Sequence, residues 1–310
     1  MTTKTNQPDS KVLAALLAVY IIWGSTYLGI KFAVESIPPF LHGALRFTIS
    51  GLLLFVWRTL AGDPLPSIKH WANSFYVGTL LLVGGNGLIA LAETKIPSGI
   101  AALIVASMPI FMILIDSLIF RTHKPTVIQI IGLLIGFGGV AYLLNPFSQQ
   151  HQISPTTFTF SLISLLASFL WSFGSLLSRK LDKPESLLQY TGMQMIMGAI
   201  GLAVMAGIMG EYNGFTFAQV TTRSWLGFAF LVTFGSLIGF TSYAYLLKHA
   251  SVSLISTYPY VNPIVAIILG NIIAGESLSA RIVISAAIII GSVILINWQP
   301  KPRLDEGTSH

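Results

Sequence analysis

Long apolar runs alternate with short polar segments along this chain. A helix needs about 20 mainly apolar residues to cross a bilayer, and that length predicts ten membrane-spanning helices. Their expected bounds are 12–33, 39–58, 72–92, 97–119, 126–144, 157–178, 187–209, 224–247, 252–273 and 280–298. The pattern therefore predicts an all-α integral membrane protein.

Composition supports the same class. Hydrophobic residues make up 54% of the chain and charged residues only 9%, whereas soluble domains carry about 25% charged residues. Mean hydropathy is +0.77. The chain has no cysteine, which excludes disulfides, thiolate nucleophiles and cysteine-based metal sites.

The distribution of basic residues predicts the orientation. With the N-terminus inside, the inner segments hold twelve of the seventeen Lys and Arg residues and the outer loops hold four, while Arg46 lies within a span. Short loops rich in Lys and Arg stay cytoplasmic. We therefore expect both termini in the cytoplasm. The net charge of +6 comes from scattered loop residues, so we do not expect a nucleic-acid partner.

The chain divides into halves of five spans each. An odd number of spans places the second half in the opposite orientation, so similar halves would be inverted repeats. Trp23–Thr26 weakly resembles Trp171–Ser175, and Met108–Phe111 resembles Asn262–Val265. The expected organisation is a cytoplasmic tail at 1–11, repeats at 12–147 and 157–298, an outer linker at 148–156 and a cytoplasmic tail at 299–310.

Two prolines fall in the middle of spans, at corresponding places in the two halves. Pro109 and Pro263 each remove a backbone hydrogen bond and bend the helix. The carbonyl groups that lose their partners must then face protein or a wet cavity rather than lipid. A static packing kink is the alternative for either proline alone. The matching positions favour hinges that flex beside a binding chamber.

Charged side chains within the spans are candidates for solute binding. Arg46 lies about two turns into the second helix, and His42 lies one turn earlier on the same face. Glu93 ends the third helix on the same side of the membrane. Arg46 can therefore meet an anionic group of a solute or form an ion pair with Glu93. Glu93 is correspondingly assigned either to coupling or to a structural pair.

Polar and aromatic residues also lie deep within apolar runs. Trp171, Tyr258 and Asn262 would offer stacking and hydrogen bonds to a solute. Asn86 stands beside Gly84, Gly85 and Gly87, where an interhelical hydrogen bond is the alternative to solute binding.

Small residues mark a packing face on the fifth helix. Gly132 and Gly136 have the spacing that allows close helix approach. The partner is a helix of the same chain or of a second copy, so both a monomer and a homodimer are open.

Motifs for catalysis are absent from the sequence. It contains no His-Glu-x-x-His, Gly-x-Ser-x-Gly or phosphate-binding Gly-Lys-Thr loop. We therefore expect no enzyme activity, no cofactor and no metal site. Transport without a nucleotide-binding domain would draw on a proton gradient or on exchange for a counter-substrate.

Several stretches resemble the EamA-type transporters of the drug/metabolite transporter superfamily. They are Tyr20–Tyr27, Pro38-Pro39, Arg46-Phe47, Asn86–Glu93, Pro97–Ala102, Tyr260–Pro263 and Gly275–Leu278. The resemblance covers about residues 12 to 298. It implies ten helices in two inverted repeats around a cavity lined by helices other than the fifth and tenth. By position, it places Trp23, Asn86, Trp171, Tyr258 and Asn262 near that cavity.

The resemblance also implies a function and a location. The family mostly exports amino acids, related metabolites or toxic amphipathic compounds across the bacterial inner membrane by alternating access. Relatives in the small multidrug-resistance group use a glutamate within their first helix, and this chain has none there, since Glu35 lies at the helix end. The alternative is a membrane receptor or assembly partner without transport, which predicts a filled centre. Aromatic residues favour amphipathic or cationic solutes and Arg46 favours carboxylates, so the solute stays open.

Overall fold

The computed structural model describes residues 10–121, 124–144, 154–250 and 257–297. Within these ranges the chain forms ten long helices, α1 to α10, with one short 3-10 turn at Phe217–Gln219 and no strand. The first five are α1 Ser10–Ala33, α2 Pro39–Leu60, α3 Ile68–Glu93, α4 Ser98–Phe120 and α5 Val127–Leu144. The others are α6 Pro155–Lys180, α7 Leu187–Ile208, α8 (Thr222–Phe230, Leu231–Ile238 and Gly239–His249 in succession), α9 Tyr258–Ala274 and α10 Ala280–Asn297.

Eight of the described helices, α1 to α8, are long and apolar enough to cross a membrane. Helices α9 and α10 contribute shorter apolar stretches, Tyr260–Ala274 and Ala280–Leu295. Large apolar side chains such as Leu17, Leu134 and Ile272 are exposed on the outer surface. Such a surface is suited to contact with lipid and would be unfavourable in water. The prediction of an all-α membrane protein is confirmed.

Helix ends agree with the predicted spans to within a few residues. Among the helix ends whose expected residues are all described, the largest difference is at α3, which begins four residues early at Ile68 because the Ser67 hydroxyl caps it by accepting from the His70 N–H at 3.3 Å. Helix α6 begins inside the expected linker, at Pro155, because Ser154 accepts from the Thr157 N–H at 3.1 Å. The rest of the linker, 148–153, lies outside the described residues. So do 1–9, 299–310 and the expected start of the ninth span at 252–256.

Glycines let helices of the two halves approach closely. Helix α2 packs along α7 where Gly51 meets Gly192; a Cβ at Gly51 would lie 2.9 Å from the Ile196 nitrogen. Helix α5 packs along α10, and a Cβ at Gly136 would lie 2.7 Å from Ser292 Oγ. The small-residue face predicted on α5 therefore packs within the same chain.

The first helix of each half packs on the third and fourth helices of the other half. Helix α1 of the first half packs on α8 and α9 of the second, while α6 of the second half packs on α3 and α4 of the first. These six helices surround the centre of the bundle, and α5 and α10 lie outside them as a pair. A site at the centre must therefore be built from both halves.

Three helices depart from regular α geometry. Wider π turns occupy Thr79–Gly87 in α3 and Leu231–Ile238 in α8, and such turns are frequent at functional sites. Helix α4 is interrupted at Ala106 and Ser107 and resumes at Met108. Pro109 was expected in the middle of a continuous helix and instead lies in the first turn after this break, where its missing N–H has no partner to lose.

Two glutamates of the second half cap helices of the first. The Glu211 carboxylate accepts from the backbone N–H of Leu41 at 2.8 Å and of Phe40 at 3.2 Å, at the start of α2. The Glu276 carboxylate accepts from Ser98 at 2.7 Å and Gly99 at 3.1 Å, at the start of α4. Partial burial raises the pKa of Glu211, and the two backbone hydrogen bonds oppose that rise. These contacts join the halves at one end of the bundle.

Candidate functional site

A cavity of about 120 Å³ lies between the two halves. It is lined by residues of α1, α2, α3 and α4 from the first half and of α6, α8 and α9 from the second. None of the described lining residues belongs to α5 or α10, in agreement with the expected arrangement. Six of the seven residues predicted to bind solute line it: Trp23, Arg46, Asn86, Trp171, Tyr258 and Asn262.

Arg46 supplies the positive charge of this cavity. Its side chain is 3% exposed, and Nε donates to the Ser236 hydroxyl of α8 at 3.0 Å. The guanidinium also lies 4.7 Å from the centre of the Phe47 ring. The bare backbone of Gly235 makes room for it, since a Cβ there would lie 3.1 Å from Arg46 Nη2. The terminal nitrogens make no hydrogen bond to a described residue.

The ion pair considered between Arg46 and Glu93 is not formed among the described residues. Glu93 is fully buried, and neither carboxyl oxygen has a hydrogen-bond partner. The Lys31 ammonium bonds instead to the backbone carbonyls of Glu93 at 3.1 Å and Ile96 at 3.3 Å, at the end of α3. Tyr27, which lines the cavity, interacts electrostatically with Glu93. Glu93 therefore lies behind the cavity wall.

His42 is the predicted binding residue that does not line the cavity. It is 2% exposed, and its ring meets that of Phe228 edge-on, with centroids 6.2 Å apart. Residues one turn apart share a helix face but are separated by about 5–6 Å along it. That separation places Arg46 at the cavity and His42 against the first segment of α8.

Asn86 of α3 and Trp171 of α6 both line the cavity, at a place where glycine in α3 lets the two helices pack closely. Asn86 lies in the π turn of α3, lines the cavity and makes no hydrogen bond to a described residue. Trp171 packs against Gly85, where a Cβ would lie 2.6 Å from Trp171 Cε3. The interhelical hydrogen bond considered for Asn86 is therefore not formed among the described residues, and Asn86 lies at the cavity.

Aromatic rings form one wall of the cavity. Trp23 meets Phe240 and Tyr258 edge-on, with centroids 5.3 and 5.2 Å apart, and Tyr243 lies 5.1 Å from Trp23. The Trp23 Nε1–H donates to the Gly235 carbonyl at 3.2 Å, which fixes the ring. The wall offers ring edges and faces to an apolar body.

Asn262 connects this wall to α1. Its amide is satisfied when the nitrogen faces the carbonyl oxygens of Tyr258 at 3.1 Å and Tyr20 at 3.3 Å. The Tyr20 hydroxyl also bonds to the Thr257 hydroxyl. Asn262 therefore has a structural partner as well as a place in the cavity lining.

The two prolines predicted as hinges directly follow lining residues. Pro109 follows Met108 in the resumed segment of α4, and Pro263 follows Asn262 inside α9. The Met108 carbonyl accepts from the Ser172 hydroxyl of α6 at 3.1 Å, which joins the resumed segment of α4 to the second half.

Twelve of the eighteen residues that line the cavity were not predicted to bind solute. Tyr27 lies four residues after Trp23, so helical spacing alone could have identified it. Ser168, Phe240 and Gly235 also line the cavity, and nothing in their sequence neighbourhood distinguishes them. Within the described ranges, no group of three or more His, Asp or Glu side chains could hold a metal ion.

Several known proteins are similar to this chain in sequence or in fold. The sequence pattern of the EamA-like transporter family matches residues 10–145 and again 158–298. The uncharacterized inner membrane transporter YedA of Escherichia coli (strain K12) is 34% identical over 287 residues, covering 92% of this chain and 90% of YedA. The uncharacterized transporter YoaV of Bacillus subtilis is 24% identical, covering 92% of this chain and 96% of YoaV.

One solved structure, titled only as the crystal structure of a protein, covers 94% of this chain with 97% of its own length. Its TM-score is 0.62 and its identity 18%, so it shows a shared fold and nothing about function. The family match and YedA go further, since they cover nearly the whole chain. This chain belongs to the EamA-like transporter family.

Proposed function

We propose that this protein is a secondary active transporter that exports small organic solutes across the inner membrane by alternating access. One observation carries the proposal: polar and aromatic side chains from both halves meet around a central cavity. Amino acids, related metabolites and toxic amphipathic compounds are the candidate solute classes. A site between two halves can open to either side when the halves rearrange around it.

The proposed architecture is ten membrane-spanning helices in two inverted five-helix repeats. The family pattern matches once in each half, and the reciprocal packing of α1 and α6 is what a twofold axis in the membrane plane would produce. The π turns of α3 and α8 fall in the third helix of each half. Five helices per half then require that the halves have opposite orientations.

We propose that both termini face the cytoplasm. Twelve of seventeen basic residues would then lie on the inner side, as the charge rule for short loops requires. Glu211 and Glu276 would lie at the outer end, where they join the halves. Pro109 and Pro263 are proposed as the points about which α4 and α9 bend during alternation.

Glu93 is proposed as the group that couples transport to a proton. A buried carboxylate without a partner is costly, so in this conformation Glu93 would hold a proton and release it when the helices around it open. The ionisable groups that face it are Tyr27 and Lys31 of α1 and Glu276 after α9. Tyr27 lines the cavity and interacts electrostatically with Glu93, which would let solute binding affect proton release.

A receptor or assembly partner without transport was the alternative. That function predicts a filled centre, and the cavity beside Trp171 and Asn262 counts against it. No sequence motif supports an enzyme.

Transport is tested with the purified protein in liposomes. Labelled phenylalanine, benzoate and tetraphenylphosphonium represent zwitterionic, anionic and cationic solutes, and exchange is followed with and without an imposed pH gradient. Asn86→Trp should abolish exchange by filling the cavity, whereas Leu134→Trp, at the lipid-facing surface of α5, should leave it intact. If none of these solutes moves through wild-type protein that binds one of them, the receptor alternative is correct.

Coupling is tested separately through Glu93→Gln, which keeps the shape of the side chain and removes its titration. We expect solute exchange at equal pH to continue while acceleration by a pH gradient is lost. Glu35→Gln, at the exposed partner of Arg223, is the matched control and should keep the acceleration. Gradient-driven transport by Glu93→Gln at the wild-type rate would exclude this role.

A further inference from the structure

The charges around the cavity are unbalanced. Among the described residues that line it, Arg46 is the one side chain that is charged at neutral pH, and there is no aspartate or glutamate. The other polar side chains are hydroxyls, amides and indoles. The lining therefore carries a single positive charge without a counter-ion.

A lone buried guanidinium is unfavourable. Removing a charge from water costs several kcal/mol unless a partner compensates for it. Arg46 has one neutral hydrogen bond to Ser236 and a ring contact with Phe47, and its terminal nitrogens make no hydrogen bond to a residue that the structure describes. Ionisable residues within membrane helices are expected to have a partner or a function. An anion bound in the cavity would supply such a partner.

We propose that the solute carried by this site is a small organic monocarboxylate whose anionic group binds the terminal nitrogens of Arg46. The proposal rests on the transport function above and names its solute class. A carboxylate accepts two parallel hydrogen bonds from a guanidinium, the strongest arrangement that such a pair forms. The aromatic wall of Trp23, Phe240 and Tyr258 then receives the apolar body.

The charge of the lining and the size of the cavity restrict the class of solute further. A phosphate ester carries up to two negative charges and would leave one without a partner. The ammonium of an amino acid would find aromatic faces and neutral oxygens but no carboxylate, and an organic cation would meet Arg46 directly. One water needs about 10–15 Å³, so about 120 Å³ holds a solute of roughly ten non-hydrogen atoms.

Calorimetric titration of the detergent-purified protein tests the expected preference for a monocarboxylate over other charged solutes. Benzoate, phenyl phosphate, phenylalanine and benzylamine share one ring and differ in charge. We expect benzoate to bind most tightly, followed by phenylalanine, with phenyl phosphate and benzylamine weaker by about tenfold or more. Tightest binding of benzylamine would overturn the proposal, as would equal binding of all four.

The role of Arg46 is tested by Arg46→Gln. We expect it to weaken benzoate about tenfold or more and to remove the preference over benzylamine, while Arg46→Lys keeps the preference at lower affinity. Arg223→Gln removes a half-exposed charge outside the cavity and should change neither value. Undiminished benzoate binding to Arg46→Gln would exclude the site.

Binding in detergent does not require transport, so the two proposals fail separately. Benzoate that binds through Arg46 but does not cross liposome membranes would leave the recognition in place and exclude the transport function. Transport of benzylamine without benzoate binding would do the reverse.

Discussion

The carboxylate of Glu276, at the end of α9, accepts a 2.7 Å hydrogen bond from the backbone N–H of Ser98 at the start of α4. Glu211 makes the corresponding contact with Leu41 at the start of α2. The first N–H groups of a helix have no partner within it, and the helix dipole favours a negative charge there. The second half thus stabilises two helices of the first through charged caps.

Removing either cap should lower stability. We expect Glu276→Ala and Glu211→Ala each to reduce the free energy of unfolding by about 1 kcal/mol, with roughly additive effects because the caps are on different helices. Thermal unfolding of the purified protein measures both. Glu185→Ala, at an exposed glutamate, is the control; equal melting temperatures for all three variants would contradict the capping role.

Replacing Arg46 should have the opposite effect. Arg46→Met removes a buried charge that has no counter-ion, so we expect the solute-free protein to melt at an equal or higher temperature. Arg58→Met provides the comparison, because Arg58 forms a 2.7 Å ion pair with Asp63 and its loss should lower the melting temperature. A large loss of stability in Arg46→Met would indicate that Arg46 is structural.

Gly85 should tolerate no side chain. Gly85→Ala would place a Cβ 2.6 Å from Trp171, so the indole must shift within the cavity. We expect solute exchange in liposomes to fall several-fold and Trp fluorescence to change. Gly138→Ala, where no atom lies within 4 Å of the new Cβ, should retain wild-type exchange and gain slightly in helix stability. Normal exchange by Gly85→Ala would show that Trp171 is free to move.

Asp63 should make stability depend on pH. The Arg58 guanidinium, with a smaller contribution from Ser186, lowers the pKa of Asp63 from its ordinary value of 3.8. The ionised form is favoured in the folded protein, so its stabilisation is present above that ordinary value and is lost as the pH falls through the lowered one. Asp63→Asn should melt earlier near neutral pH and show less change between pH ~2 and pH ~5. Parallel pH profiles for both proteins would contradict this.

Polar and aromatic residues within apolar runs were sufficient to locate the cavity, and they include six of its eighteen lining residues. Arg46, Asn86 and Asn262 were identifiable because lipid excludes such side chains unless protein or a cavity receives them. His42 met the same criterion and lies elsewhere, because burial can be satisfied by packing against Phe228. Sequence patterns indicate which side chains avoid lipid. They do not indicate whether such a side chain lines the cavity or packs against another helix.

The residues that complete the site required the fold. Ser236 is an ordinary hydroxyl in an apolar helix, and its contact with Arg46 depends on how the π turn of α8 rotates that segment. The separation of Arg46 from Glu93 likewise depends on the packing of α1, which brings Lys31 to the end of α3. Helix lengths followed from hydropathy to within a few residues, because bilayer thickness sets them.

In the proposed transport cycle, the lone guanidinium would also make turnover sensitive to voltage. The empty cavity carries one positive charge, and binding of a monoanion reduces it to zero. A charge that crosses the entire field gains or loses about 2.3 kcal/mol per 100 mV. In an exporter, the empty, positively charged cavity must return to face the cytoplasm, which is electrically negative. The membrane potential would favour this return step. It would not affect the outward step, in which the cavity with its bound monoanion is neutral. The resting potential alone would then favour export of such a solute over its uptake.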